Sequence, residues 1–131
     1  MLPVCLFFTP QKNWAPYVDG DNVLLVQFIN PLKIYKYFPR TNDLSLWSSQ
    51  ELCKTDLKIR GGTQLVKIDN MLIGIGHTKS LCDGFKHVVY IIDYISKKLV
   101  SHSNEFVFDK LNFRVDLQPI IEFASGMVKL N

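Results

Sequence analysis

The chain has 131 residues, 47% of them hydrophobic and 21% charged, with a formal net charge of only +3. That length suits one domain with a real core, and that composition excludes a disordered chain. The lysines are scattered without a basic stripe, which excludes the usual footprint of a nucleic-acid binder, and no apolar run approaches the ~20 residues of a membrane-spanning helix.

In chain order, "MLPVCLFF" lacks the basic start and small-residue cleavage site of a secretory signal, so it reads as a strand, or as the stub of a longer ancestral chain. "NWAPYV", the turn "DGD" and "NVLLVQFIN" (22–30) form a hairpin, whose second strand is apolar on both faces as a buried central strand is. "KIYKYF" (33–38) alternates polar and aromatic residues after the Asn30-Pro31 corner and reads as a more exposed third strand. "LSLWSSQELC" (44–53) has no period of 3.6 and reads as strand or loop. "TQLVKID" and "MLIGIGHT" flank Asn70 as a second hairpin, and "HVVYIIDY" and "KLVSHS" flank Ile95–Lys97 as a third. Lys97-Lys98 then falls in a solvated turn. "EFVF" and "IIEFASGMV" close the chain.

Short strands at regular spacing predict an all-β antiparallel architecture: sandwich, barrel or propeller. A propeller blade is a four-stranded antiparallel meander, and residues 14–53 and 62–102 each fill one. The aligned stretches "VLLVQFINP" and "MLIGIGHTK" both end an apolar strand on a polar residue, Asn30 or His77. Polar groups at one strand position in successive blades converge at the propeller mouth, where ligands bind.

Cys5, Cys53 and Cys82 are odd in number and far apart, with no zinc spacing. They read as small buried hydrophobes in a reduced, cytoplasmic setting. His87 and His102 read as isolated, exposed residues, and Gly74-x-Gly76 lies inside a strand, the wrong context for a dinucleotide fingerprint. No order of Ser, His and Asp or of Cys and His supports a nucleophile.

At "QKNWAPY", "INP", "RGGTQLVKIDNMLIGIGHTKS" and "IEFASGM" the sequence resembles the five-bladed β-propellers of carbohydrate-active enzymes. The nearest branches are the inverting mannoside phosphorylases, the related β-mannosyltransferases and glycosyltransferase-associated propellers. The resemblance runs from Gln11 to about Met127. It implies that Lys12, with Asn13 beside it, serves the anion or sugar site, that Gly61-Gly62 opens the next blade, and that His77 helps bind phosphate at the mouth. The sequence departs from that pattern at Asn30, where the phosphorylases usually carry an arginine nearby, and at Gln11, commonly glutamate. Complete propellers of this type are about twice this length, and the family's acid-supplying aspartate has no counterpart upstream of Gln11, so the resemblance implies a partial copy.

Lys12, Arg60 and His77 together offer a point charge, a planar fork of donors and an imidazole, a set that suits phosphate or a sugar phosphate. The plainer alternative makes Lys12 and Arg60 surface cations and His77 a hydrogen-bonded strand end. Trp14 either stacks on a sugar face or packs against Tyr17 and Phe28. Gly61-Gly62 either allows close backbone approach to a ligand or makes an ordinary interblade turn. Among the carboxylates, Asp19, Asp69 and Asp83 read as turn residues, and Asp93 and Glu105 remain further candidates. Glu122, flanked by apolar residues, is the candidate acid, or else the ion-pair partner of Arg60 or Lys12.

The expectation is therefore a single partial domain, residues 1–131, built as two to three antiparallel four-stranded blades of a five-bladed β-propeller. It binds a glycan or sugar phosphate through Lys12, Asn13, Trp14, Asn30, Arg60, Gly61, Gly62 and His77, with no metal or cofactor and with inorganic phosphate as the co-substrate if it is an active phosphorylase, hydrolase or glycosyltransferase. The alternative is a catalytically inactive glycan-binding or protein-interaction module left by truncation. No nucleic acid or membrane is expected as a partner. Open sheet edges lead to self-association, or to a partner chain that supplies the missing blades.

Overall fold

The computed structural model describes residues 14–51, 58–80, 84–107, 126–128 and 130. All the regular structure in these residues is β. Strands β1 (Ala15–Asp19), β2 (Asn22–Phe28), β3 (Leu32–Phe38) and β4 (Asp43–Gln50) form one four-stranded sheet in chain order. Strands β5 (Val66–Ile68), β6 (Met71–Ser80), β7 (Gly84–Asp93) and β8 (Lys98–His102) form a second, in the same order. Every neighbouring pair is antiparallel, so each sheet is a blade-like meander. The two stretches expected to form four-stranded antiparallel meanders, 14–53 and 62–102, contain these two sheets, Ala15–Gln50 and Val66–His102. The expected strand 22–30 stops at Phe28, because Ile29 and Asn30 turn to pair with another segment.

The two sheets are built on the same turns. β1–β2 and β5–β6 are closed by two-residue turns whose first residue has positive φ, Gly20 at 63° and Asp69 at 53°. Hairpin turns of that length need such a residue to match strand twist. β3–β4 and β7–β8 are closed by four-residue turns whose last residue has positive φ, Asn42 at 57° and Lys97 at 61°. Local side chains hold these turns: the Tyr37 hydroxyl donates to Asn42 Oδ1 at 2.9 Å, and Asp93 Oδ2 accepts from the Ser96 amide at 2.7 Å.

Burial alternates along each strand, as a period-2 pleat dictates. Leu24, Val26 and Ile34 of the first sheet are fully buried, as are Leu72, Val88, Tyr90 and Ile92 of the second, and all belong to one core cluster. Burying each such side chain contributes about 1.5–3 kcal/mol. The intervening residues Val23, Leu25, Ile73, Ile75, Val89 and Ile91 are only half-buried. The sheets thus share one inner layer, and each presents a second apolar face outward.

The seam between them is polar and aromatic at its outer end. The Tyr94 hydroxyl donates to Asp19 Oδ2 at 2.8 Å, and Lys36 Nζ lies 3.7 Å from the same oxygen. Asp19, expected as a turn residue, is therefore an inter-sheet acceptor at the end of β1. The Trp47 and Tyr94 rings meet at 5.7 Å, with the Lys97 ammonium 5.0 Å above Trp47 and that of Lys67 4.2 Å above Tyr94. The Ser48 hydroxyl donates to the Lys97 carbonyl, and the Leu99 amide donates to Gln50 Oε1 at 3.0 Å.

Two glycines of β6 are required by packing. A Cβ on Gly76 would lie 2.6 Å from the Arg60 carbonyl oxygen and 2.7 Å from a methyl of Ile59. A Cβ on Gly74 would lie 2.6 Å from the Tyr90 hydroxyl, because Tyr90 is its cross-strand partner and leans over it. Gly76→Ala is expected to cost about 1–3 kcal/mol as an overpacking change. Gly126→Ala, whose Cβ would meet its nearest atom at 3.7 Å, serves as the control in urea unfolding. Tyr90 is fully buried, and its hydroxyl has no hydrogen-bond partner among the described residues. Burial alone pushes its ionisation well above the ordinary tyrosine range. Tyr90→Phe removes an unsatisfied polar atom and is expected to leave stability unchanged or raise it by about 1–2 kcal/mol, read from the same unfolding curves.

Candidate functional site

The first sheet and the second are joined through residues 58–61, and this connector organises the candidate site. The Ile29 and Asn30 amides both donate to the Ile59 carbonyl, at 3.1 and 3.2 Å, and the Ile59 amide donates to the Asn30 carbonyl at 3.0 Å. One residue later, Arg60 and His77 exchange both backbone bonds, at 3.0 and 2.9 Å. Asn30 and His77, expected to converge, thus stand on either side of one two-residue strand. Asn30 is buried, and its peptide bond to Pro31 is cis.

Arg60 and His77 are direct cross-strand partners, yet their side chains do different things. His77 is buried, and its Nδ1–H donates to the Gly61 carbonyl at 2.8 Å. Burial pushes its protonation below the ordinary value of 6.5; the Gly61 bond opposes this, and the Arg60 and His87 charges add to it. Arg60 is exposed at its head, with its guanidinium carbon 5.6 Å above the Phe28 ring. His77 is therefore a neutral, buried imidazole that braces the connector. Gly61 is buried and supplies the carbonyl that fixes His77, and half-buried Gly62 leads to Thr63. Thr63 Oγ1 in turn accepts from the Ile75 amide at 3.0 Å.

Trp14 is half-buried just before β1, and its ring packs on Tyr35 at 5.9 Å, tilted by 32°. Tyr35, rather than Tyr17 or Phe28, is its ring partner. The Lys33 ammonium lies 5.7 Å above the Tyr35 ring, and Lys33 is the register partner of Phe28. Trp14, Tyr35, Lys33, Phe28 and Arg60 therefore form one aromatic and cationic patch at the connector end of the first sheet. The ion pairs Lys36–Asp19 and Arg40–Asp21 involve neither Lys33 nor Arg60, which no described carboxylate pairs. Lys33, Tyr35 and Phe28 were missed in the sequence. The signal was the alternation of "KIYKYF", whose cations and aromatics share a face only once the register across the Asn30-Pro31 corner is known.

Lys12, Asn13 and Glu122 lie outside the described residues, as do Asp83 and all three cysteines. Asp19, Asp93 and Glu105 have structural partners. Asp93 is held below the usual carboxylate range by the Ser96 amide and hydroxyl, and Glu105 accepts from the Thr78 hydroxyl. His87, expected at the surface, is buried to 1% exposure because β7 is central in its sheet, and its ring packs on Phe106 at 5.9 Å. Among the described residues no group of three or more His, Cys, Asp and Glu is placed to hold a metal ion, and no helix is long and apolar enough to cross a membrane.

Comparison with protein-family models, with curated proteins and with solved structures finds no match to this chain.

The neutral state of His77 has a sign. Its native protonation is depressed, so the unfolded chain takes up the proton first. The stabilisation is complete above about pH 6.5 and is lost as pH falls through the lower native value. Urea midpoints measured from pH 7.5 to 5 are expected to fall on acidification, and His77→Gln is expected to flatten that slope.

Proposed function

We propose that the two meanders are blades of a β-propeller of the carbohydrate-active kind, and that the chain binds an acidic glycan without turning it over. The observation that carries this reading is the patch of Trp14, Phe28, Lys33, Tyr35 and Arg60. It combines the half-buried Trp14 ring, packed on the buried Tyr35 ring, with two cations that no described carboxylate pairs. Arg60 is pre-placed, because its backbone is bonded to His77 and the preceding residue is bonded to Asn30. A pre-placed guanidinium loses less freedom on binding a carboxylate, sulfate or phosphate ester.

Binding is favoured over catalysis by the fate of the other groups. His77 Nδ1 is spent on Gly61, and Asp19, Asp93 and Glu105 are spent on Tyr94, Ser96 and Thr78. Inverting glycoside chemistry needs a carboxylic acid beside the leaving oxygen, and these three serve the fold.

Titration calorimetry with a uronate- or phosphate-bearing oligosaccharide is expected to give saturable heat that weakens with added salt. Arg60→Ala and Lys33→Ala are each expected to weaken binding about tenfold, or ~1.4 kcal/mol. A neutral mannoside is expected to bind more weakly, and no sugar phosphate is expected to appear when phosphate is added. Absence of heat with acidic and neutral glycans alike would refute the proposal.

A further inference from the structure

We infer that the outward face of the second sheet docks the outward face of the first sheet of another copy of this chain, head to tail. The argument is one of register and is independent of the glycan reading. The matched two-residue turns equate Asp19 and Asn22 with Ile68 and Met71. The matched four-residue turns equate Phe38 and Asp43 with Asp93 and Lys98. Counting back from these turns, the buried inner face of the first sheet, Leu24, Val26 and Ile34, corresponds to Ile73, Ile75 and Val89. Those three lie on the outward face of the second sheet and are half-buried.

The converse also holds. The inner face of the second sheet, Leu72, Gly74, Tyr90 and Ile92, corresponds to Val23, Leu25, Tyr35 and Tyr37 on the outward face of the first. The two sheets therefore pack as unlike faces of like blades. One chain thus carries each kind of face a second time on its outward sides, although Tyr35 on the first sheet is already buried to 8% under Trp14 and Lys33, which leaves the hairpin end as the open part of that face. Two unlike, complementary faces on one molecule make a heterologous contact, which propagates from copy to copy or closes into a ring.

The residues at the rim of the seam sharpen the case. Asp19 and Lys36, which hold the polar end of the inner seam, are matched on the outward face by Ile68 and Ile91. The spare face is thus more apolar than the one already used. Its exposed members are Ile68 at 38% and Met71 at 37%, facing Val18 at 70% and Leu46 at 55% on the other spare face. Trp14 and Lys33 lie at the connector end of their sheet, away from Val18 at the hairpin end.

The test uses the full chain and two variants at exposed positions, Val18→Lys on one face and Ile68→Lys on the other, with far-UV circular dichroism to verify folding. Light scattering over a dilution series is expected to show wild-type mass rising with concentration. Each variant alone is expected to form dimers at most weakly, since one of its two faces is blocked. Mixed together, they are expected to form a discrete heterodimer through the two intact faces and to grow no further. Leu46→Lys and Met71→Lys replace any variant that loses its β signal. A wild type that stays monomeric at every concentration overturns the inference, whether the faces are covered within the chain or serve a different protein. A wild type that associates while the mixed variants remain monomeric also overturns it, because the contact is then not head to tail.

Discussion

The structure depends on a two-residue strand bonded along both of its edges. Ile59 is paired to Asn30 of the first sheet and Arg60 to His77 of the second, so four backbone groups of the connector are satisfied by two different sheets. A buried backbone group left unpaired costs as much as a lost hydrogen bond, and this arrangement leaves none of those four unpaired. It also fixes the distance between the sheets at one end. Everything nearby follows from that closeness: Gly76 must lack a side chain, Ile59 enters the core, and Gly61 presents its carbonyl to His77. At the other end the sheets are held by side chains, Tyr94 on Asp19 and Trp47 against Tyr94. The seam thus has a backbone end and a side-chain end.

The repetition of turns explains why the packing is directional. Each sheet offers one face to its neighbour and keeps the opposite face outward, and the two sheets use opposite faces for the shared layer. Tyr35 and Tyr90 illustrate the difference. They occupy matching positions, yet Tyr90 leans over a glycine into the interior, whereas Tyr35 sits opposite Leu25 and receives Trp14 and Lys33. Both tyrosines are buried, Tyr90 in the shared inner layer and Tyr35 on the opposite side of its sheet beneath Trp14 and Lys33, and the partner across the strand pair makes the difference.

The strands and both meanders were legible in the sequence because period-2 alternation and turn residues are local signals. "TQLVKID" and "MLIGIGHT" around Asn70 emerge as β5 and β6, and the doubly apolar run of β2 is a central strand. What was not legible depended on register. The bulge between Val26 and Phe28 puts Phe28 opposite Lys33, which brings the aromatic and cationic residues together. No local pattern predicts a bulge of that kind. The burial of His87 was missed for a related reason: a histidine beside an apolar run looks exposed until its strand is known to lie between two others. Arg60 and His77, singled out together in the sequence, are cross-strand backbone partners. Their division into an exposed cation and a buried brace follows from the carbonyl of Gly61, which sequence spacing does not reveal.

The chain has two tryptophans, and the fold separates them. Trp47 stands in the seam under Lys97 and against Tyr94, while Trp14 stands on the outward side against Tyr35. The intrinsic fluorescence of this protein is consequently a sum of two unlike emitters, one watching whether the sheets remain together and the other watching the rim. A quencher dissolved in water reaches them by different routes, so a single emission spectrum already carries two separable reports on the molecule.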